Sequence, residues 1–201
     1  AGLGVYLASI WAEYLVEEGR SPAPALAAGE PWLRRLREQA GQDEVAAAQL
    51  GELAVIEAAG AALEGRDPAP DLARARTLLA RSIRANVSTA LFGRLAEAEL
   101  VRAGWAARTG ADPRPALAAA ARHAVEMQRA DPKAADGWRL EAAVALAAPG
   151  AAPAALRRGL AAADRALTLA PGEARLHALR GLLLAALGDV VVDREALAAA
   201  E

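Results

Sequence analysis

Three stretches of the chain carry one phrase: Gly19-Arg20-Ser21-Pro22-Ala23-Pro24, Gly65-Arg66-Asp67-Pro68-Ala69-Pro70 and Gly110-Ala111-Asp112-Pro113-Arg114-Pro115. Each follows a long apolar-periodic run, and each leads into another with a leucine two residues past the last proline: Leu26, Leu72 and Leu117. A weaker fourth copy is Pro149-Gly150-Ala151-Ala152-Pro153 before Leu156, and Gly188-Asp189 is a fifth turn. The turn glycines step by 46, 45, 40 and 38 residues. Glycine supplies the left-handed residue that ends a helix. Ser or Asp accepts free amides at the start of the next helix, and proline fits its first turn. Each copy therefore predicts a tight corner between two helices of a hairpin.

A second ladder marks the joints between hairpins. Arg84-Ala85-Asn86-Val87, Arg129-Ala130-Asp131-Pro132 and Thr168-Leu169-Ala170-Pro171 each close a second helix. Proline cannot continue a helix, so the chain turns there. The resulting map has first helices over about 3–18, 43–63, 88–108, 134–147 and 173–187. Second helices cover about 25–40, 71–85, 116–130, 154–169 and 192–201. Gly29-Glu30-Pro31 predicts a kink or break before Trp32. Leu72, Ala75, Leu79 and Ile83 share one helical face with Arg74, Arg76 and Arg81 off it, and Leu156, Leu160, Ala163 and Leu167 form a similar stripe.

Composition points the same way. The chain has 201 residues and 59 alanines, with 55% hydrophobic and 3% aromatic residues. Alanine is the best helix former and lets helices approach closely. One hairpin this poor in bulky side chains cannot bury its apolar stripe alone, whereas stacked hairpins can. The expected fold is all-α: a superhelix of about five antiparallel helix pairs in one domain, 1–201. Its repeats are about 1–42, 43–87, 88–132, 133–171 and a truncated 172–201.

These residues resemble the tetratricopeptide repeat family. Trp138 lies six residues after Pro132, in that family's first-helix Trp position, and Ala166 lies five before Pro171, in its small second-helix position. Gly181, Gly188 and Asp189 match its two glycines and Gly-Asp turn, and Ala75 and Ala120 its early small residue. His177 and Gly93 stand where two other copies would have the Trp, signature tyrosines are absent, and the first three repeats run about 45 residues. The resemblance implies that first helices line a concave groove that binds protein segments. The corner phrase also looks like repeats that follow the kinase domain in some large bacterial serine/threonine protein kinases. That likeness implies a regulatory or substrate-recruiting arm, since no kinase motif stands in the chain itself.

Chemistry of its own is not expected. With 23 basic and 25 acidic residues the net charge is -2, without the basic excess of a general nucleic-acid binder. There is no cysteine, and His123 and His177 are too few for most His-built centres, so no metal, cofactor or catalytic residue is expected. Gly2-Leu3-Gly4 lacks the third glycine of a dinucleotide fingerprint. The carboxylate pairs Glu97/Glu99 and Glu17/Glu18 read as solvated, both histidines as packed, and Asn86-Val87-Ser88 as a helix joint rather than a glycosylation site. Ala1 to Ala12 is apolar but is interrupted by Glu13, Glu17 and Glu18, which reads as an amphipathic first helix and not a membrane segment. The cytoplasm is the expected location. Lys133 is the only lysine, and the Arg and Ala excess looks like codon usage of a GC-rich bacterial genome. The chain starts at Ala1 and stops inside a helical pattern, as a fragment of a longer protein would.

The expected function is a non-catalytic scaffold for a peptide or protein partner, an acidic one by the following reasoning. Arg94 and Arg139 occupy the same repeat position, Arg102 shares the helix of Arg94, and Arg175 and Arg180 come from the last first helix. A guanidinium fork suits carboxylates. Of the four tryptophans, all are read as packing residues, with Trp138 also a candidate partner contact. Self-association through apolar ends, Ala1 to Leu7 and Val190-Val191-Val192, is the remaining alternative.

Overall fold

In a computed structural model of the chain, residues 2–188 are described apart from 86, 87 and 89. Among the described residues there are nine α-helices and no strand: α1 (Gly2–Glu17), α2 (Ala23–Gln39), α3 (Glu44–Leu63), α4 (Ala69–Arg84), α5 (Leu91–Thr109), α6 (Arg114–Ala130), α7 (Ala135–Ala147), α8 (Pro153–Leu169) and α9 (Ala174–Ala186). The expected second helix over 192–201, the residue Asp189 of the last turn, the apolar Val190–Val192 and most of the Asn86-Val87-Ser88 joint lie outside the described residues.

The corners form as their residues dictate. Gly19, Gly65, Gly110, Gly150 and Gly188 all have φ between 58° and 78°. Only glycine adopts this region without strain. Ser21 Oγ accepts the Ala23 amide at 3.2 Å, Asp67 Oδ1 the Ala69 amide at 3.0 Å and Asp112 Oδ1 the Arg114 amide at 3.0 Å. Between hairpins, Asp43 Oδ1 caps α3 by accepting from Val45 and Ala46.

Helices α1/α2, α3/α4, α5/α6 and α7/α8 pack as hairpins, and α9 adds to α8. Helices α1, α3, α5, α7 and α9 also pack each on the next, forming a continuous layer. The backbones of the second helices α2, α4, α6 and α8 do not approach one another. Contact on one side and splaying on the other bend the stack, so the protein is an all-α helical solenoid with the first helices inside the curve. The buried residues form small clusters strung along this stack, such as Leu72, Leu79, Leu91 and Leu95 in the middle and Ala142, Leu156, Ala163 and Leu183 at the far end. Helix α3 is the one described helix long and apolar enough to cross a membrane, and two-thirds of its apolar window is buried inside the protein.

Two expectations are corrected. Of the kink or break expected before Trp32, the break is absent: α2 runs continuously from Ala23 to Gln39 with Pro31 inside it. The apolar face of the helix, through Ala25, Gly29, Leu33 and Leu36, spans the proline and holds both halves in register. Helix α1 is not amphipathic either. Val5, Ala8, Ala12 and Leu15 are buried, yet Leu3, Tyr6, Leu7, Ile10, Trp11 and Tyr14 on the other face are all more than 40% exposed. Among the described residues, no helix packs on that side of α1.

Candidate functional site

The inner face carries a polar cavity of ≈ 310 Å³. Glu13 of α1, Glu52 of α3, Arg94 and Glu97 of α5, Asp136 and Arg139 of α7 and Arg175 of α9 all line it. Every first helix thus contributes at least one charge. Stacking of the repeats places Arg94 and Arg139 one above the other, with Glu97 between. Arg94 Nη1 donates to Glu97 Oε2 at 2.9 Å, and Arg139 Nη2 donates to Glu97 Oε1 at 2.7 Å. Arg139 Nε also donates to Asp136 at 3.1 Å.

Curvature then brings in α1. Arg94 Nη1 donates to Glu13 Oε1 at 2.8 Å, and Arg175 pairs with Glu17 and with Glu173. Burial disfavours the Arg94 cation, but Glu13 and Glu97 outweigh it and hold its pKa above the usual value. Glu13 is the mirror case, with burial opposed and outweighed by Arg94, so its carboxyl titrates lower than usual. Arg139 is likewise raised against burial by Glu97 and Asp136. Glu52 differs. It has no ion-pair partner among the described residues, and burial pushes its carboxyl up, helped by Glu13 and Glu97 and opposed by Arg94.

Of the six partner-binding candidates, Arg94, Arg139 and Arg175 converge on this cavity. Arg102 is elsewhere in α5, paired with Glu99. Arg180 donates to Asp164 Oδ1 of α8 at 2.7 Å. Trp138 packs its ring against the α7–α8–α9 core, and its Nε1 donates to the Pro132 carbonyl at 3.2 Å. His177 Nε2 sits 2.9 Å from the Pro171 carbonyl six residues before it. Trp138 and His177 are therefore equivalent anchors in successive repeats, and that bond requires the proton on His177 Nε2. In the α5 repeat a Cβ on Gly93 would lie 3.0 Å from Met127 Sδ, because Met127 and Leu140 fill the space a large side chain would need.

The expectation that Glu97 and Glu99 are solvated is overturned. Glu97 sits between two arginines, and Glu99 is 5% exposed. Arg76 of α4 reaches Glu99 Oε1 at 2.8 Å, and Arg102 lies against the other oxygen. The Arg76 Nε–H does not point along that approach, so the contact is charge pairing rather than a formed hydrogen bond. His123 packs its ring on Phe92 with centroids 6.4 Å apart, and burial lowers its pKa. Two of the four tryptophans are only partly packed: Trp11 and Trp32 are 45% and 40% exposed. They flank an apolar groove of ≈ 490 Å³ between α1 and α2, lined further by Leu3, Gly4, Leu7 and Ala28.

No group of three or more His, Asp or Glu among the described residues is arranged to hold a metal ion. Comparisons with family models, with curated proteins and with solved structures find no match to this chain.

Proposed function

We propose that the chain is a non-catalytic interaction scaffold that takes a segment of another protein onto the inner face of its solenoid. One observation carries this reading: first helices spread over the whole chain deliver Arg94, Arg139, Arg175 and four carboxylates to a single open cavity. The resemblance to tetratricopeptide repeats supports it, since that family uses the same face. A purely acidic partner has to compete with Glu13, Glu97 and Asp136 for arginines they already hold. A segment of mixed charge avoids this competition. Its basic side chain meets the unpaired Glu52, and its carboxylate adds to the open side of Arg175, which is 57% exposed.

Selection of a displayed random-peptide library against the intact chain at low salt tests the proposal. Enriched peptides should carry both charge signs. The pair Arg94→Ala and Arg139→Ala should weaken them about tenfold or more, the cost of charge-assisted contacts, and flatten their salt dependence. Glu52→Gln should weaken the same peptides with no loss of thermal stability. Enrichment of apolar peptides alone, or binding indifferent to these substitutions, rejects it.

A further inference from the structure

The exposed face of α1 has no part in the cavity, and nothing described covers it. Seven large apolar side chains stand out along it and the adjoining α2: Leu3 at 73% exposure, Tyr6 at 62%, Leu7 at 57%, Ile10 at 47%, Trp11 at 45%, Tyr14 at 55% and Trp32 at 40%. At roughly 150–250 Å² for each fully exposed large side chain, they present on the order of 750 Å². That exceeds the roughly 300–600 Å² of the largest patch on an ordinary monomer. It is close to the share that each partner of a standard stable complex buries, about 800 Å².

The pattern of the patch indicates what covers it. Leu3, Leu7, Ile10 and Tyr14 follow a 4-3-4 spacing, that of a helix–helix seam. This spacing reads the same in both directions. A second α1 laid antiparallel therefore matches the seam residue for residue, Leu3 against Tyr14 and Leu7 against Ile10. Beside the ridge runs the groove, floored by Gly4, Ala8, Ala25, Ala28 and Gly29 and walled by Trp11 and Trp32. The Trp32 ring lies so close to α1 that a Cβ on Gly4 would stand 2.4 Å from it. A ridge of bulky residues next to a groove of small ones is self-complementary under a two-fold axis, as an isologous interface requires. No charged residue lines the groove. The acidic groups of α1, Glu13 and Glu17, lie at its C-terminal end and pair with Arg94 and Arg175 of the inner layer, so none belongs to the seam of Leu3, Leu7, Ile10 and Tyr14.

We infer that two copies of this chain pair back to back through antiparallel α1 helices, each ridge seated in the other's α1–α2 groove, leaving both inner cavities open. Sedimentation velocity over micromolar to hundred-micromolar concentrations should show a monomer–dimer equilibrium that stops at the dimer. Leu7→Glu with Ile10→Glu should weaken dimerisation at least a hundredfold while helical circular dichroism and the melting temperature are kept, both sites being exposed. Ala28→Arg, at an exposed position lining the groove, should weaken it at least tenfold by itself. Because the chain has no cysteine, Leu3→Cys mixed with Tyr14→Cys should give the mixed disulfide on oxidation. A monomer throughout, a dimer indifferent to these substitutions, an open-ended polymer, or Leu3→Cys linking only to itself would each overturn the inference.

Discussion

Glu52 and Glu13 face the same cavity with opposite linkage to folding. The Glu13 pKa is depressed below its ordinary 4.5, so its stabilisation is present above that value and is lost as pH falls through the depressed one. The Glu52 pKa is raised above 4.5, so its ionisation costs stability as pH rises through the raised value. Glu52→Gln should therefore stabilise the fold, by under about 1 kcal/mol, with more gain near pH 8 than near pH 5. Urea unfolding at the two pH values measures this; a gain independent of pH would show that burial does not govern the carboxyl. Glu99 is a different buried carboxylate, because Arg76 and Arg102 both depend on it. Glu99→Leu strands two guanidinium groups and should cost roughly 2–4 kcal/mol, below the full penalty of a buried pair since both arginines reach solvent. A denaturant midpoint unchanged by that substitution would show the triad to be energetically neutral. Neither role was legible from local sequence. Glu97 and Glu99 look like any solvated pair until α4 and α7 bring arginines to opposite sides of α5.

At the scale of the element, glycine has two unlike roles inside these helices. On α3, a Cβ at Gly60 would lie 2.4 Å from Pro22 Cδ, so the first corner rests directly on the α3 backbone. On α5, a Cβ at Gly104 would meet nothing within 4 Å. Gly60→Ala should force α2 and α3 apart and cost about 1–3 kcal/mol, as overpacking does. Gly104→Ala should instead stabilise by about 0.5–1 kcal/mol, through helix propensity alone. Thermal melts of the two variants should move in opposite directions, and a shift of the same sign in both would refute the contrast. Helix ends were readable because Gly, Asp and Pro act through their own backbones: Gly65-Arg66-Asp67-Pro68 makes its corner whatever packs against it. The continuity of α2 through Pro31 was not readable, since it depends on Leu33 and Leu36 docking on α1 and α3. The sidedness of α1 was equally hidden. Its residues are apolar nearly all round, and only the packing of α2 and α3 against one side distinguishes the buried ones from the rest.

At the scale of the whole molecule, the ends of the inner layer meet through side chains alone. Helices α1 and α9 make no backbone approach, yet Glu17 pairs with Arg175 across 158 residues and Glu13 with Arg94 across 81. Sequence reasoning singled out Arg94 and Arg139 by their shared repeat position, which fixes their face, and Arg175 only by its helix; all three line the cavity. It missed Glu13 and Glu17, whose part depends on how tightly the stack curls. A solenoid is held mainly by nearest neighbours, so its curvature is soft and long-range ion pairs can set it. The Glu17–Arg175 pair is about half exposed, so it adds little to stability and is open to screening. Near 1 M salt the Debye length falls to about 3 Å, and the arch should relax. X-ray scattering should then show the radius of gyration growing by a few per cent on adding salt, with helicity unchanged. Glu13→Gln with Glu17→Gln should open the arch to that size at low salt and abolish the salt response. An equal radius under all four conditions would mean that side-chain packing along α3, α5 and α7 fixes the curvature, and that the ion pairs merely decorate it.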